Sequence, residues 1–249
     1  MKFSEPLVQG TLIRRYKRFL LDVELDTGEQ ITAHTSNTGS MLGCQDPGSR
    51  VWLSLSDNPK RKYQHSWELV EVDTPAGPVP VGINTMLSNK LVHEAISTGM
   101  VGNLQGYQSI RTEVKYGIEN SRIDLLLEPF EAEQDAADLP RNTCYVEVKN
   151  VTLGKDGVAY FPDAVSKRGA KHLRELIEVV RNGDRGVIFF CVQRSDACQV
   201  KPADHIDPEY GQWLRRAVKE GVEAMAYRAE VTPYDITLVK NLPVNLDNS

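Results

Sequence analysis

A chain of 249 residues, of which 41% are hydrophobic and 25% charged, has the composition of a soluble globular protein with one large or two modest domains. It contains no run of the roughly 18–20 apolar residues that span a bilayer and no early run resembling a signal peptide, so we expect a cytoplasmic protein without a membrane partner. The formal net charge of −5 excludes a uniformly basic surface, but local basic clusters can still bind nucleic acid.

The first 83 residues show a pattern of strands only, without a helical period. Gly, Asp, Asn and Pro residues separate the candidate strands, which are LVQGTLIRR, RFLLDVEL, QITAHTS, VWLSLSD, SWELVEV and PVPVGIN. Several short strands at this spacing indicate a small closed β-barrel, and a five-stranded barrel of the OB type fits the length. We therefore predict an OB-like β-barrel over residues 1–83.

Two clusters of basic and aromatic residues lie in this predicted barrel. They would suit nucleic-acid binding, because cationic side chains hold phosphates and aromatic rings stack on bases. The alternative, which the sequence leaves open, is that the aromatic residues belong to the core or rim and the charges only solubilise the protein. The clusters consist of Arg14, Arg15, Tyr16, Lys17 and Arg18, and of Lys60, Arg61, Lys62 and Tyr63.

After the barrel the pattern changes to a mixture of helices and strands. TMLSNKLVHEAIS has a helical apolar stripe, and three strand-like segments follow it. The next helix is expected to be capped by Asp163, to bury Val165 and to stop at Asn182-Gly183. The strand GVIFFCV, a helix QWLRRAVKEGVEAM and late strands complete the chain. The order α-β-β-β-α-β predicts an α/β domain with a mixed sheet over residues 84–249, and the acidic stretch at 131–139 is expected to be a solvated loop.

The third strand of this unit reads CYVEVKN and contains the candidate site. Because side chains alternate along a strand, Glu147 and Lys149 share one face, about 6–7 Å apart along the strand. The preceding strand carries Asp124 at the start of an apolar run, and we expect it to lie beside Glu147. Two nearby carboxylates repel each other, and burial raises their pKa unless a cation is present.

A divalent cation would resolve that conflict. Mg²⁺ prefers oxygen ligands and is typically held by one or two carboxylates together with waters and phosphate oxygens. We therefore predict that Asp124 and Glu147 bind Mg²⁺ or Mn²⁺. Lys149 would then orient a water molecule or neutralise the charge that develops on a phosphate.

An Asp followed by Glu-x-Lys on the next strand resembles the signature of the PD-(D/E)xK nuclease superfamily, whose restriction-endonuclease-like core has the same αβββαβ order. Ile123 replaces the Pro of the nominal pattern. The resemblance implies catalytic roles for Asp124, Glu147 and Lys149. Read alone, Glu-x-Lys on an amphipathic strand is common by chance and favours a solvated strand face.

The resemblance also points to the neighbouring helices. Superfamily members use polar residues of the helix after the third strand to grip the phosphate or to orient water, and Lys171 and His172 are the candidates here. Arg174 and Glu175 are expected to belong to an exposed helix surface. Glu94, on the helix before the sheet, resembles the acid that some members contribute as a further metal ligand, although a glutamate off the apolar stripe is common on any helix.

Longer strings resemble the sugar fermentation stimulation protein A family over almost the whole chain. They are LIRRYKRFLLDV, NTGSM, SDNPKRKY, EVKYGIENSRIDLLL, YVEVKNVTL and YFPDAVSKRGAKHLREL. This resemblance implies an OB-like barrel joined to a nuclease-like domain, and DNA binding with little sequence preference, with RNA as an open alternative. Two functions remain: a metal-dependent nuclease, or a non-catalytic DNA-binding regulator of sugar (maltose) utilisation genes. The sequence admits a homodimer without determining the oligomeric state.

Overall fold

A computed structural model describes residues 1–117, 119, 121–130, 140 and 142–247. The acidic stretch at 131–139, expected to be a solvated loop, lies outside these residues. The first part of the chain contains six strands. They are β1 (Val8–Tyr16), β2 (Leu20–Leu25), β3 (Gln30–His34), β4 (Arg50–Leu55), β5 (His65–Thr74) and β6 (Gly77–Gly82).

These strands form a closed barrel. They are ordered β3-β2-β1-β4-β5-β6, and β3 also pairs in parallel with β5 at His34 and Ser66, which closes the sheet on itself. Alternate side chains of each strand point inward and fill the interior around the fully buried Trp67 and Leu21. The predicted OB-like barrel is confirmed.

The first residues of the chain lie against the second domain instead of the barrel. The Phe3 amide donates to the Tyr234 carbonyl at 3.0 Å, and the Ile236 amide donates to the Met1 carbonyl at 2.9 Å. Met1, Phe3 and Leu7 pack on the apolar core of the second domain. The strands of the barrel itself begin with β1 at Val8.

The second domain is a six-stranded mixed sheet with helices on both faces. Two short 3-10 helices, at Thr85–Leu87 and Gly102–Leu104, flank its first helix. Its longer elements are α1 (Ser88–Ser97), β7 (Ser109–Tyr116), β8 (Ser121–Glu128), β9 (Cys144–Val151), β10 (Gly154–Lys155), β11 (Val158–Phe161), α2 (Lys167–Arg181), β12 (Arg185–Val192), β13 (Gln199–Pro202), α3 (Pro208–Lys219), β14 (Glu223–Val231) and β15 (Ile236–Leu242).

The sheet is ordered β15-β14-β12-β9-β8-β7, and β10, β11 and β13 form a separate small sheet. Strands β9, β12 and β14 are parallel to one another, whereas the pairs β7–β8, β8–β9 and β14–β15 are antiparallel. Helix α1 packs on one face of the large sheet, and α2 and α3 pack on the other. The predicted order α-β-β-β-α-β and the mixed sheet are confirmed.

Two helix ends differ from the prediction. Helix α2 is capped by Ser166, whose hydroxyl accepts the Gly169 amide at 3.0 Å, while Asp163 accepts the Met41 amide of the barrel at 2.7 Å. Val165 therefore precedes the helix and is exposed. Helix α3 ends at Lys219, because the chain turns at Gly221 with φ 101° and the following residues enter β14. The predicted stop of α2 at Asn182 and Gly183 is confirmed.

The barrel is joined to the second domain by buried polar contacts. The buried carboxylate of Glu68 accepts the Ser54 hydroxyl at 2.6 Å and the Asn84 side-chain amide at 2.7 Å, and Asn84 precedes the first 3-10 helix. The Gly82 amide donates to the Gln193 carbonyl at 2.9 Å. These contacts fix the barrel next to the start of α1. Among the described residues, no helix is both long enough and apolar enough to cross a membrane.

Candidate active site

The candidate site lies where strands β8 and β9 separate. The two strands pair from Leu127 with Cys144 to Leu125 with Val146, and no pairing follows beyond that point among the described residues. Instead, the carboxylate Oδ2 of Asp124 accepts the Val148 amide at 2.7 Å. A side chain thus replaces a main-chain partner, and the carboxylate is held in the opening of the sheet.

The second oxygen of Asp124 is also held. Asn89, in the first turn of α1, donates its side-chain amide to Asp124 Oδ1 at 2.8 Å. Burial and the nearby charge of Glu147 raise the pKa of Asp124 to about 6, against the lowering effect of these two hydrogen bonds. Asp124 therefore lies next to Glu147, as the sequence predicted.

Glu147 is the most buried carboxylate of this group, with 3% of its surface exposed. Its Oε1 contacts the Lys149 ammonium at 2.7 Å and the Nδ1 of His172. Burial would raise the pKa of Glu147, but the Lys149 charge and the His172 hydrogen bond outweigh it, so the pKa is lowered. Its Oε2 is buried and has no hydrogen-bond partner among the described residues.

His172 links this carboxylate to the protein surface. Its Nε2 accepts the Nε–H of Arg168, an exposed residue one turn earlier on α2, at 3.2 Å. Because an arginine Nε–H can only donate, its contact with Nε2 favours the neutral tautomer that carries its proton on Nδ1 and donates it to Glu147, and the Lys149 ammonium lies 3.1 Å from the same Nδ1. Arg168 thus favours one tautomer of His172.

This arrangement fits a hard divalent cation. An ionised carboxylate oxygen that is buried without a donor is costly, and a cation would supply the missing partner of Glu147 Oε2. In the described part of the chain, no three His, Cys, Asp or Glu side chains already surround a common point. A pair of carboxylates with waters nevertheless matches the way in which Mg²⁺ is commonly held.

Two predicted site residues are not brought to this group. The Glu94 carboxylate contacts the amino group of Met1 at 2.9 Å, because it lies on another side of α1 from Asn89. Lys171 donates to the carbonyl of Glu119 in the turn between β7 and β8. It cannot share the direction of His172, since consecutive helical residues point about 100° apart. The neighbouring helical residues that do contact the group are Asn89, at Asp124, and Arg168, at His172.

The expectation that Glu175 is exposed is wrong, whereas Arg174 is a partly exposed residue paired with Glu119 at 3.2 Å. Glu175 is buried and accepts the Glu119 amide at 3.1 Å, which holds the β7–β8 turn against α2. Burial and the charges of Glu147 and Glu175 raise the pKa of Tyr116, whose buried hydroxyl has no partner in the described residues. Arg168 and Glu175 lie four residues before and three after His172, a helical spacing that could have identified them.

The first basic cluster is partly used inside the barrel. The Arg15 guanidinium donates to the carbonyls of Asn37 at 3.1 Å and Gly39 at 2.9 Å, and to the side chain of Gln45 at 3.0 Å. Arg14 and the Tyr16 hydroxyl both contact Asp22 at 2.9 Å. Arg15 thus organises the loop at 37–45, whereas Arg14 pairs with Asp22 and stays largely exposed.

The remaining basic residues gather at one end of the barrel. The Phe19 ring lies 6.3 Å from the His34 ring, and Arg61 donates to Ser66, the strand partner of His34, at 2.9 Å. Burial and the positive charge of Arg61 lower the pKa of His34. The β1–β2 turn and the β4–β5 loop therefore meet. We call this the barrel-end surface; it consists of Lys17, Arg18, Phe19, Lys60, Arg61, Lys62 and Tyr63.

The barrel-end surface is close to the start of α1. Ser36, two residues after His34, donates its hydroxyl to the Asn84 side chain at 2.6 Å. Asn84 caps the 3-10 helix that leads into α1, where Asn89 holds Asp124. The loop that follows β3 at this end of the barrel thus contacts the segment that leads into α1.

Comparisons with known proteins cover both domains. Residues 13–82 match the family model of the SfsA N-terminal OB domain, and residues 86–235 match that of the sugar fermentation stimulation protein RE domain. A sugar fermentation stimulation protein homolog of Geobacter sulfurreducens is 59% identical over 98% of both chains. A homolog of Shewanella pealeana is 52% identical over 99% of this chain and 100% of its own. The structure of Pyrococcus furiosus SfsA in complex with Ca²⁺ is similar with a TM-score of 0.83 and 26% identity, over 98% of both chains.

Proposed function

The chain belongs to the sugar fermentation stimulation protein family, and we propose that it is a cation-dependent nuclease that binds DNA with little sequence preference. The observation that carries this proposal is the pair of carboxylates, Asp124 and Glu147, in the opening between β8 and β9. Keeping two like charges close together in a buried position lowers stability, and no donor among the described residues reaches the buried Glu147 Oε2.

The solved relative from Pyrococcus furiosus supports the cation. That protein was solved in complex with Ca²⁺, which, like Mg²⁺, is a hard cation with oxygen ligands. In this chain Asp124 and Glu147 would hold Mg²⁺ or Mn²⁺. When bound, such a cation neutralises the paired carboxylates and polarises a phosphoryl oxygen of the substrate.

The surrounding residues prepare the carboxylates and the phosphate position. Asn89 and the Val148 amide hold Asp124, while His172 and Lys149 hold Oε1 of Glu147, and no donor among the described residues reaches Oε2. The Lys149 ammonium carries three protons, so it can contact Glu147 and still donate to a phosphate oxygen. Arg168 supplies a second cation at the exposed end of the His172 contact.

Nucleic-acid binding is assigned to the barrel-end surface. It combines exposed cations with the rings of Phe19 and Tyr63, the combination that holds single strands by phosphate contacts and base stacking. The contact between Ser36 and Asn84, which joins the loop after β3 to the segment before α1, supports a path from this surface toward Asp124. A strand bound at the barrel end could therefore continue toward the carboxylates.

The proposal is tested by incubating metal-free protein with single- and double-stranded DNA and with RNA, with and without Mg²⁺ or Mn²⁺. We expect cation-dependent cleavage by the wild type and none by Asp124→Asn or Glu147→Gln. Glu94→Gln is the matched control, because this carboxylate lies away from the site, and its variant should cleave like the wild type. If wild type and Asp124→Asn behave alike on every substrate, the nuclease proposal is wrong.

One observation favours the alternative, a non-catalytic DNA-binding regulator of sugar (maltose) utilisation genes. Both oxygens of Asp124 accept protein donors and Lys149 pairs directly with Glu147, so most of the charge is balanced within the protein. A regulator would bind DNA equally well after Glu147→Gln and would cleave none of the substrates. A filter-binding assay over a range of salt concentrations, run beside the cleavage assay, separates the two functions.

A further inference from the structure

A groove on the surface of the second domain lies between helices α2 and α3. Its apolar lining comes from Ile177 of α2 and Trp213 of α3. The chain has three tryptophans, all in its described part, and Trp52 and Trp67 are buried whereas Trp213 is partly exposed. A partly exposed aromatic ring in a groove offers a surface on which a planar ligand can stack.

Two arginines from different helices lie against the Trp213 ring. The guanidinium carbon of Arg174, on α2, is 5.5 Å from the ring centroid, and that of Arg216, on α3, is 5.0 Å from it. Cations within about 6 Å of a tryptophan centroid are attracted by the π electrons of the ring. The ring thus holds two cationic side chains at the groove before any ligand binds.

The carboxylate partners of these arginines leave them able to bind an anion. Arg174 pairs with Glu119 at 3.2 Å, and both side chains of this pair are 38% exposed. Arg216 is 54% exposed and approaches Glu220 only to 3.8 Å. Ion pairs that are this exposed are weak. Because a guanidinium has five N–H donors, both arginines can still donate to phosphate oxygens.

Helix α2 carries a local charge of the opposite sign to the chain as a whole. Its cationic side chains, all at least partly exposed, are Lys167, Arg168, Lys171, Arg174 and Arg181. Of its two glutamates, Glu178 is exposed, whereas Glu175 is buried and accepts the Glu119 amide. The whole chain has a formal net charge of −5, so this excess of cations on one helix indicates an anionic partner.

The cations of α2 lead from the candidate active site to the groove. Arg168 lies at the active site, and Lys171 and Arg174 both contact Glu119. The three cations are spaced three residues apart, which corresponds to about 4.5 Å along the helix axis for each step. A row of cations therefore connects the carboxylate site with the Trp213 ring.

We propose that the groove between α2 and α3 is a second nucleic-acid subsite, in which one base of a single strand stacks on Trp213 while Arg174 and Arg216 bind the adjoining phosphates. The base takes the place of one guanidinium on the ring, and the displaced arginine then donates to the phosphate. Aromatic rings beside cationic side chains hold single strands without reading their sequence. This inference rests on the proposed function, since it assumes that the protein binds nucleic acid.

The test titrates the protein, in the presence of a chelator, with a single-stranded oligodeoxynucleotide. Affinity is measured by the anisotropy of a dye on the DNA, and tryptophan emission is measured with unlabelled DNA. We expect the strand to quench the emission of the wild type, because a stacked base contacts the accessible ring, and Trp213→Phe to bind without this quenching. Trp213→Leu should weaken binding about fivefold or more, the lower end of the effect of removing a stacked aromatic ring.

Arg216→Gln keeps the ring and removes one cation of the groove. The slope of log affinity against log salt should fall by about 0.7 in this variant, as expected for one lost phosphate contact. Arg50→Gln is the matched control, because it removes one exposed arginine at the start of β4, the end of that strand away from the β4–β5 loop. It should leave the slope and the quenching unchanged.

Thermal unfolding checks that each variant is folded. Binding without quenching, an unchanged slope in Arg216→Gln or an unchanged affinity in folded Trp213→Leu would refute the subsite, while nucleic-acid binding elsewhere on the protein would stand. If the wild type binds no nucleic acid, the subsite and the proposed nucleic-acid binding are both refuted.

Discussion

The Nδ1 of His172 contacts the Oε1 of Glu147, and both side chains are almost fully buried. The contact depends on the tautomer that the exposed Arg168 favours by donating to Nε2 at 3.2 Å. Glu147 is therefore oriented by a chain of donors that begins at the protein surface. The same Oε1 also accepts a hydrogen bond from the Lys149 ammonium. Both donors therefore contact one oxygen, and Oε2 has no hydrogen-bond partner among the described residues.

Replacing His172 should lower stability according to which donor the new side chain offers. His172→Leu removes the Nδ1–H donor from a buried carboxylate, and we expect a loss of about 3 kcal/mol in the free energy of unfolding, since removing a partner from a buried charge costs about 3–5 kcal/mol. His172→Asn should lose less, because its side-chain amide can place an N–H near the position of Nδ1.

Urea unfolding of the metal-free variants measures this difference. Arg174→Leu serves as the control on the same helix, because Arg174 makes a partly exposed ion pair whose loss should cost under about 1 kcal/mol. Equal losses for His172→Leu and His172→Asn would show that the Nδ1 donor is not what holds Glu147.

The raised pKa of Asp124 predicts how stability changes with pH in the absence of cations. The ordinary value of 3.8 is raised to about 6 by burial and by the charge of Glu147. The contribution of Asp124 to stability is therefore fully present below pH 3.8 and is lost as the pH rises through about 6. Relative to Asp124→Asn, the wild type should lose up to about 3 kcal/mol between pH 4 and pH 7, since one unit of pKa corresponds to about 1.4 kcal/mol.

Urea unfolding of both proteins with a chelator, at half-unit steps of pH, tests this sign. Added Mn²⁺ should reverse the trend for the wild type, because the cation binds the ionised carboxylate and stabilises the folded state. A difference between the two proteins that stays constant from pH 4 to pH 7 would contradict the raised pKa.

The sequence allowed a good prediction of the features that follow from local periodicity. Strand alternation predicted that Glu147 and Lys149 share one face, and in the structure the Lys149 ammonium contacts Glu147 Oε1 at 2.7 Å. The apolar stripe of α1 is buried as predicted. Asp124 could be assigned because it borders an apolar run on the preceding strand. These relations depend on the backbone period and the order of strands, and both can be read from a single chain.

Contacts that depend on the docking of elements could not be predicted. Asn89 contacts Asp124 only because α1 packs across the sheet, and the two residues are 35 positions apart in a sequence that contains no signal of that contact. Glutamate is a residue type that usually lies on the surface, but Glu175 is buried where Glu119, in the β7–β8 turn, donates to it. The sequence predicted that Arg15 binds nucleic acid together with its basic neighbours. In the structure its guanidinium donates to carbonyls of the loop at 37–45, which lies far from Arg15 in sequence.

Charge reversal at the barrel-end surface should lower the affinity for nucleic acid and should also make that affinity less dependent on salt concentration. Lys60→Glu combined with Lys62→Glu removes two exposed cations, and Lys240→Glu on the distant strand β15 is the matched control with one exposed lysine reversed. For single-stranded DNA, the slope of log affinity against log salt should fall by about 0.7 for each lost phosphate contact. Fluorescence anisotropy at several salt concentrations measures it, and an unchanged slope would remove the barrel end from the binding surface.

The turn that Glu175 holds yields the last prediction. Gly117 has a φ of 71°, and a Cβ at this position would collide with the Glu175 carboxylate. Gly183, at the end of α2, has a φ of 92° with open space around its Cβ position, so it experiences the same backbone preference without the collision. Gly183→Ala should therefore cost about 1–2 kcal/mol, the penalty of the left-handed conformation alone.

Gly117→Ala should cost clearly more than Gly183→Ala, because the turn or the Glu175 side chain must also move. The excess should shrink when Glu175 is changed to alanine in the same protein, since the colliding atoms are then absent. A double-mutant cycle by urea unfolding measures this coupling. Additive effects of Gly117→Ala and Glu175→Ala would mean that the two residues do not contact each other, and the support of the turn would have to come from the Lys171 and Arg174 contacts to Glu119.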